Sequence, residues 1–500
     1  MKLYKSNTGE YNLTMAYPAT ESFALSSLGY LWLYKIADTK EGINADMIFT
    51  DNTGNRKNTD AISFSMSFDF DYLGALEILD KLKIPFYSKN RGENYPLIFA
   101  GGPVLTTNPE PYKAFFDFMI IGDGEEIFNQ VLDIFMLKLS KKETLKKLSE
   151  YDNIYVPGFS DKLKRVPASL NNVIYTPIIS EKSYFKDTFI IEVARGCMNR
   201  CAFCTASYTN LPYRHYEYEK IIECIELGLK HTNKIALLGA QISAHPNFNE
   251  IMKYLYDKIM NGNQIELGIS SLRTDAVSDN IVKTLVAGGQ KHSTIAIEAA
   301  SERLRKFINK NIKEEQILNA VRIARENGLK GLKIYSMIGI PTEADEDIRE
   351  FLLLAKKIKQ ENKGFNIEFS FSTFVPKPQT PLQWSKREDT KILEKKQNYL
   401  EKELSKIGVS SKFSSAKWDY WQTVLSRSDE SITPALVEVY NSGGKIGAYK
   451  AAVKKFGTDI LKSVNGFDFD DDLPWDIIES NPPKQLLINE YKRLTRNTTE

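Results

Sequence analysis

The chain has 500 residues, with 66 lysines and arginines against 64 aspartates and glutamates and a formal net charge of +2. That length suggests about two to four domains, and the balanced charge excludes bulk electrostatic attraction to nucleic acid or to an anionic membrane. Three of the four cysteines fall within eight residues, which excludes a disulfide framework and points to a reduced, cytoplasmic protein with a metal site. The start, Met1-Lys-Leu-Tyr4, lacks a secretory pattern, and the apolar run Leu25–Leu33 is too short to span a bilayer.

Residues 1–150 alternate strand and helix patterns. A helix is expected to start after Thr20, as its N-cap, and to run through Glu21–Leu28. Strands are expected at Asp46–Thr50, Ala61–Ser67, Pro96–Ala100 and Phe118–Ile121, with a helix over Tyr72–Leu82. Repeated β-α units predict a parallel, Rossmann-like sheet with ligands at the carboxyl ends of its strands. The candidates there are Ser65, Ser67, Gly101, Gly102, Gly122, Gly124 and Glu125. Backbone N–H groups at such glycine junctions cradle a phosphate or a nucleotide tail; the alternative is that they are tight turns only.

Residues 151–184 form a connector with Pro157, Pro167 and Pro177, expected to be a β-rich linker or a small hairpin. Over 185–384 the β-α alternation resumes, with strands expected at Thr188–Val193, Ile235–Leu238, Gln264–Ser270, Ser293–Ile297, Gly331–Met337 and Asn366–Phe374. Helices Glu314–Asn327 and Glu343–Gln360 lie between them. The predicted architecture is a partial (β/α)6 barrel. Residues 385–500 are lysine-rich and mostly helical, and Leu494–Glu500 is expected to fray. In Lys417-Trp-Asp-Tyr-Trp421 the aromatics fit a helix docking on the barrel better than a substrate-facing patch. Gly443-Gly444-Lys445 lacks the rest of a phosphate loop.

Directly after the strand ending at Val193 stand Cys197, Cys201 and Cys204, spaced C-x3-C-x2-C. Thiolates favour zinc or iron–sulfur clusters. A closed structural zinc site takes four protein ligands, whereas three leave a vacancy for a substrate. The competing readings are a zinc knuckle and three unrelated cysteines. Cys224 lies in an amphipathic helix and is expected to be a core residue.

This stretch resembles the radical S-adenosylmethionine superfamily. The resemblance implies that the three cysteines hold a 4Fe–4S cluster, whose fourth iron chelates S-adenosylmethionine and supplies the electron that yields a 5′-deoxyadenosyl radical. It implies that Phe203 stands beside the adenine. It implies cofactor contacts from Gly239, Gln241 and Ser243, from Ser271 and Arg273, from Glu298, and from Ile338 and Gly339. The alternative for Glu298 is an ion pair with Arg303 or Arg305. For Ile338-Gly339 it is an ordinary strand end, with Thr342 capping the next helix.

The segments Ala100–Pro111 and Asp117–Glu126 resemble the cobalamin-binding-type domain that precedes many such cores. The chain has no D-x-H-x-x-G and no histidine before His215, so cobalamin is expected to bind without a histidine axial ligand. The other reading is that the fold stayed and the cofactor was lost. Glu298–Arg305, Ile308–Asn311, Thr373–Trp384 and Leu473–Asp476 together resemble a largely uncharacterised family with this domain plan, a match that covers most of the chain. The expected function is C–H functionalisation, with cobalamin-dependent methyl transfer to an unknown substrate. Alternatives are radical cyclisation or rearrangement without cobalamin, and a non-enzymatic iron–sulfur sensor or interaction module. Methylthiolation is disfavoured, because the cysteines for a second cluster are missing. An electron donor such as ferredoxin or flavodoxin is implied. A small molecule, lipid or peptide substrate stays open, and nucleic acid is not expected.

Overall fold

The computed structural model describes residues 1–54 and 58–496. Its first sheet has six strands: β1 Gly9–Tyr17, β2 Gly42–Phe49, β3 Ala61–Ser65, β4 Leu97–Gly101, β5 Phe118–Ile120 and β6 Ile154–Tyr155. Their order is β2-β1-β3-β4-β5-β6, parallel throughout except where β6 runs against β5. Successive side chains alternate between faces. Leu13, Met15, Phe99 and Phe118 meet helices Leu28–Thr39 and Glu125–Phe135 on one side. Ile62, Phe64, Ile98 and Ala100 meet helix Asp71–Lys81 on the other. Both faces are therefore covered, as a parallel sheet requires.

Two expectations here need correction. The inner strand β1 was not foreseen, although Glu10–Met15 alternates polar and apolar residues with the period of a strand. The expected helix Glu21–Leu28 is split into Glu21–Ala24 and Leu28–Thr39. Thr20 makes no side-chain cap; Asp51 Oδ1 accepts the Glu21 N–H at 2.9 Å instead. Ser26 Oγ donates to Phe23 O at 2.6 Å, an interaction that competes with continued helix.

The connector makes no hairpin of its own. The strand β7, Leu163–Lys164, pairs in parallel with Ile478–Glu479, and β6 extends the first sheet.

The second layer begins with β8 Thr188–Glu192, followed by the short β9 Ala194–Arg195 and β10 Arg214–His215, which pair antiparallel. Then come β11 Lys234–Leu238, β12 Glu266–Ile269, β13 Leu272–Arg273, β14 His292–Glu298, β15 Gly331–Ile338, β16 Asn366–Thr373 and β17 Ser410–Phe413. They form the parallel runs β8-β11-β12 and β13-β14-β15-β16-β17. The six expected strands are present within a few residues of their expected ends. The third splits at Ser270-Ser271 into β12 and β13, and β17 adds an unforeseen edge strand from beyond Trp384. Alternate residues such as Ile295, Ile297, Phe369 and Phe371 pack on helices Glu314–Glu326 and Asp345–Glu361. Thr342 does not cap the latter; Asp347 Oδ2 accepts the Ala344 N–H at 2.8 Å.

Helix Ala416–Arg427 corrects the docking expectation in part. Asp419 Oδ2 accepts from Thr373 Oγ1 of β16 at 2.8 Å. Its aromatic face turns instead to the first sheet, where Trp421 and Tyr449 rings lie 5.0 Å apart and share a core with Phe64 and Tyr72. Gly443-Gly444 is a turn between helices Thr433–Asn441 and Ile446–Phe456.

The segment Thr373–Trp384 straps these parts together. Gln379 Nε2 donates to Thr106 O and Thr107 O at 2.8 and 2.9 Å. Gln383 Oε1 accepts from Gln379 N and from Trp475 Nε1, both at 2.7 Å. Gln379 Nε2 and Gln383 Oε1 are thus satisfied, whereas Trp384 Nε1 at the end of the segment has no hydrogen-bond partner among the described residues. Leu494 is buried within helix Lys484–Arg496, so it is not frayed; residues 497–500 of that expectation lie outside the described residues. Among the described residues, no helix is long and apolar enough to cross a membrane.

Candidate active site

The cysteine loop follows β8 and is bracketed by the β9–β10 pair. At Gly196, φ is +82° and a Cβ would meet Asn210 O at 2.4 Å, so only glycine lets the two ends of the loop pass. Tyr208 Oη and Asn309 Nδ2 donate to Arg200 O at 3.0 and 3.3 Å, and Ala202 N–H donates to Ile308 O at 2.9 Å. Cys197 and Cys201 are buried and Cys204 is half-buried. Cys224 is buried in the core beside Phe189 and Ile221, apart from the loop.

Burial pushes the Cys201 thiol up to about 12; Lys310 and Arg273 oppose the shift, while Cys204 and Glu298 add to it. Burial also raises Cys204, against the backbone N–H groups of Ser207 and Ala206, and Cys197 adds to the rise. Among the described residues, no three His, Cys, Asp or Glu side chains close around one ion position. A cubane cluster needs a wider arrangement, because each thiolate serves a different iron.

Several expected residues form a ring around the loop. Gln241 Oε1 accepts from Cys197 Sγ at 3.2 Å. A Cβ on Gly239 would lie 2.7 Å from Ala194 O, so a glycine is required where this turn passes the base of the loop. Ser243 is half-buried in the same turn, and Ser271 is exposed at the break between β12 and β13. Arg273 is held by Asp275 at 2.7 Å and by Lys310 O at 3.0 Å. Glu298 has φ +67° at a register shift of β14, a left-handed backbone that costs energy for a non-glycine residue.

The Glu298 partner differs from the alternative considered above. Lys310 Nζ lies 2.9 Å from Glu298 Oε1, whereas Arg303 pairs with Asp347 and Arg305 is buried against the carbonyls of Ala299, Ala300 and Ile312. Phe203 packs with Ala202, Phe307 and Met337. The Ile338 side chain is in the core and its carbonyl accepts the Phe374 N–H at 2.8 Å. Gly339 has φ +78° and gives its N–H to Glu343 Oε1 at 2.9 Å; a Cβ there would meet Leu393.

Next to this ring lies a cavity of about 540 Å³, within the range of roughly 300–1,000 Å³ typical of small-molecule sites. Ser65, Ser67, Gly101, Gly102, Gly122, Gly124 and Glu125 line one wall. Arg195, Gly196, Gly239 and Thr209 line the opposite wall. The carboxyl edge of the first sheet thus faces the base of the cysteine loop. Two of the junction glycines have packing reasons of their own. A Cβ on Gly102 would meet Met66 O at 2.3 Å, and one on Gly122 would meet Val166 O at 2.9 Å. Gly101 and Gly124 have ordinary clearance, 3.6 and 3.4 Å, and leave room on the cavity side. Among the described residues, no histidine lines the cavity.

The two walls are joined by charge. Arg195 contacts Glu125 at 2.7 Å, Glu192 at 2.8 Å and Asp123 at 3.2 Å, and Arg214 contacts Asp123 at 2.9 Å. Burial opposes ionisation of Asp123, but Arg195 and Arg214 hold its carboxyl below the usual range. Sequence reasoning missed Arg195, Asp123, Glu192, Arg214 and Lys310. Lys310 sits in a quoted motif, yet only the fold brings it beside Cys201.

Family models match twice, "Radical SAM proteins, N-terminal" over residues 30–157 and "Radical SAM superfamily" over residues 191–355. An uncharacterised protein of Methanocaldococcus jannaschii is 32% identical over 449 residues, covering 88% of this chain and 94% of that protein. An uncharacterised methyltransferase of Pyrococcus horikoshii is 27% identical, over 65% of this chain and 71% of that protein. The cobalamin-dependent S-adenosylmethionine radical enzyme OxsB, with aqua-cobalamin and S-adenosylmethionine bound, aligns with a TM-score of 0.58 at 13% identity, covering 98% of this chain and 80% of that one. In the OxsB structure with aqua-cobalamin alone, the chain spans about half of that chain, 52%, with a TM-score of 0.55 at 17% identity. At these identities the likeness to OxsB carries the fold.

Proposed function

The chain belongs to the radical S-adenosylmethionine superfamily, and from that premise we propose that it functionalises a C–H bond of its substrate, with cobalamin as a methyl carrier. One observation carries the reading: the glycine and hydroxyl edge of the first sheet and the base of the cysteine loop are the two walls of a single cavity.

Cys197, Cys201 and Cys204 would hold a 4Fe–4S cluster, with the raised thiols deprotonated as iron binds. When bound there, such a cluster together with S-adenosylmethionine would supply a radical able to remove hydrogen from carbon. Arg273 and Lys310 offer cations and Glu298 an anion beside Cys201, a set suited to the charged amino-acid end of S-adenosylmethionine. The packing of Phe203, Phe307 and Met337 excludes water from that side. Ser65, Ser67, Gly101, Gly124 and Glu125 would hold the corrinoid, without a histidine ligand, and it would supply the methyl group. The Arg195 network keeps the two walls in register. The reading divides the chain into units 1–150, 151–184, 185–384 and 385–500, with β6 of the second unit joined to the first sheet and β17 of the last joined to the barrel strands, in a cytoplasmic protein served by a one-electron donor.

A second reading keeps the radical and drops cobalamin, giving cyclisation or rearrangement. It is favoured by Gly102 and Gly122, whose glycines chain packing alone demands. Anaerobic purification after growth with hydroxocobalamin separates the two. The leading reading predicts about one corrinoid per chain after gel filtration, lowered by substitution of Gly101 with valine. Corrinoid-free protein that still forms 5′-deoxyadenosine would overturn it in favour of the second.

A further inference from the structure

The geometry points to Tyr213 as a positioning residue for the cysteine loop: its hydroxyl donates a hydrogen bond to the Cys197 sulfur once that sulfur ligates iron, and so raises the reduction potential of the cluster. The inference rests on the cluster reading above. Tyr213 is only half-buried as a residue, yet its Oη is shut off from solvent and has no hydrogen-bond partner among the described residues. Such a hydroxyl costs free energy until an acceptor reaches it. Among the described residues that line the cavity of about 540 Å³, Tyr213 is not one, so a ligand held there is not that acceptor.

Position selects the acceptor. Arg214 and His215 of β10 pair with Arg195 and Ala194 of β9, and the same register sets Tyr213 opposite Gly196, the residue before Cys197. A Cβ on Gly196 would lie 3.2 Å from Tyr213 Cα, so the two backbones touch there. The ring packs on the core that holds Val193 and Ala194. Burial pushes the Tyr213 hydroxyl up to about 12, and Cys197 is the titratable group that adds to the rise. The phenol therefore keeps its proton at neutral pH and can donate it. Cys197 is already the polar focus of the loop. Asn199 Nδ2 donates to its Sγ at 3.5 Å, and that Sγ donates to Gln241 Oε1 at 3.2 Å. Iron displaces the thiol proton and leaves a sulfur that only accepts. A donor at a cluster sulfur stabilises the negative charge that one-electron reduction adds, which raises the potential. The water-excluded setting of Oη strengthens the effect. The electron comes from the reductant, and Tyr213 makes and breaks no covalent bond.

The test uses the full chain, anaerobically reconstituted with iron and sulfide, as wild type, as Tyr213→Phe and with 3-fluorotyrosine in place of Tyr213. The first change removes only the hydroxyl. The second keeps the shape of the ring and makes the phenol a stronger donor. Iron and sulfide are counted, and the reduced cluster is then followed by electron paramagnetic resonance through a titration with dithionite. At a fixed solution potential the reduced-to-oxidised ratio is expected to fall about tenfold in Tyr213→Phe, which is about 59 mV for one electron, and to rise with 3-fluorotyrosine. A merely structural role does not produce that opposite pair of shifts. Potentials that are equal in all three proteins, or that move the same way in both changes, overturn the inference and leave the cluster reading standing. If Tyr213→Phe holds no cluster, the 3-fluorotyrosine protein decides: a raised potential supports the inference, and an unchanged or lowered one overturns it. A wild type that binds no iron and sulfide overturns both readings.

Discussion

Lys310 Nζ lies 2.9 Å from Glu298 Oε1, and both groups act on the Cys201 thiol from positions where their side chains are 9% and 13% exposed. Removing one member of such a pair strands the other. Lys310→Ala is expected to destabilise the cluster-free protein by about 3 kcal/mol. Lys310→Met combined with Glu298→Gln is expected to cost clearly less than the sum of the two single changes. Guanidinium denaturation of the four proteins measures the coupling. Simple additivity would show that the pair contributes nothing as a pair.

Gly101 and Gly102 are adjacent but differ in what surrounds them. Gly102→Ala forces a Cβ to within 2.3 Å of Met66 O at φ +127°, and a loss of about 2 kcal/mol or more is expected. Gly101→Ala meets nothing closer than 3.6 Å, so its stability change stays within about 1 kcal/mol. Because Gly101 lines the cavity, its substitution is expected to weaken ligand binding while the melting temperature holds. Equal melting temperatures for the two variants would contradict this.

The contrast between these glycines shows where the sequence was legible. Periodicity found the strands from Thr188 to Thr373, β14 and β16 by alternate buried residues such as Ile295 and Ile297 or Phe369 and Phe371, and β8 by the continuous buried run Phe189–Ile191. It missed β1 although Glu10–Met15 alternates polar and apolar residues, and it missed β17, where only Phe413 is apolar and pairing with β16 sets the position. The cysteine spacing is local and could be read directly. The ring around it is not local: Lys310 reaches Glu298 only through the turn after helix Glu302–Phe307, and Arg195 reaches Glu125 across 70 residues. Glycine identity was likewise readable, but the reason for it was not, since Met66 O and Val166 O come from other segments.

His245 makes the β10 region sensitive to acid. Its Nε2 bonds Tyr216 O at 2.8 Å and its Nδ1 accepts the Asn247 N–H at 3.0 Å, which requires the neutral ring. Burial lowers its proton affinity and His215 lowers it further, against the Tyr216 carbonyl and Glu250. The folded state then binds fewer protons than the unfolded state just below the ordinary imidazole value of about 6.5. Stability from this group is complete above that pH and is lost as pH falls towards the lowered folded value. Melting temperatures between pH 7 and pH 5 should fall more steeply for the wild type than for His245→Asn; parallel slopes would refute the assignment.

The central claim is that Cys197, Cys201 and Cys204 together hold a cluster that cleaves S-adenosylmethionine. The direct measurement is iron, sulfide and 5′-deoxyadenosine in anaerobically reconstituted wild type and in the three single Cys→Ala variants, with dithionite as reductant. The account predicts about four irons and four sulfides per chain and 5′-deoxyadenosine in the wild type, with no 5′-deoxyadenosine and deficient cluster content in each variant. A wild type that assembles the cluster yet yields no 5′-deoxyadenosine, or a variant that retains both, would contradict it.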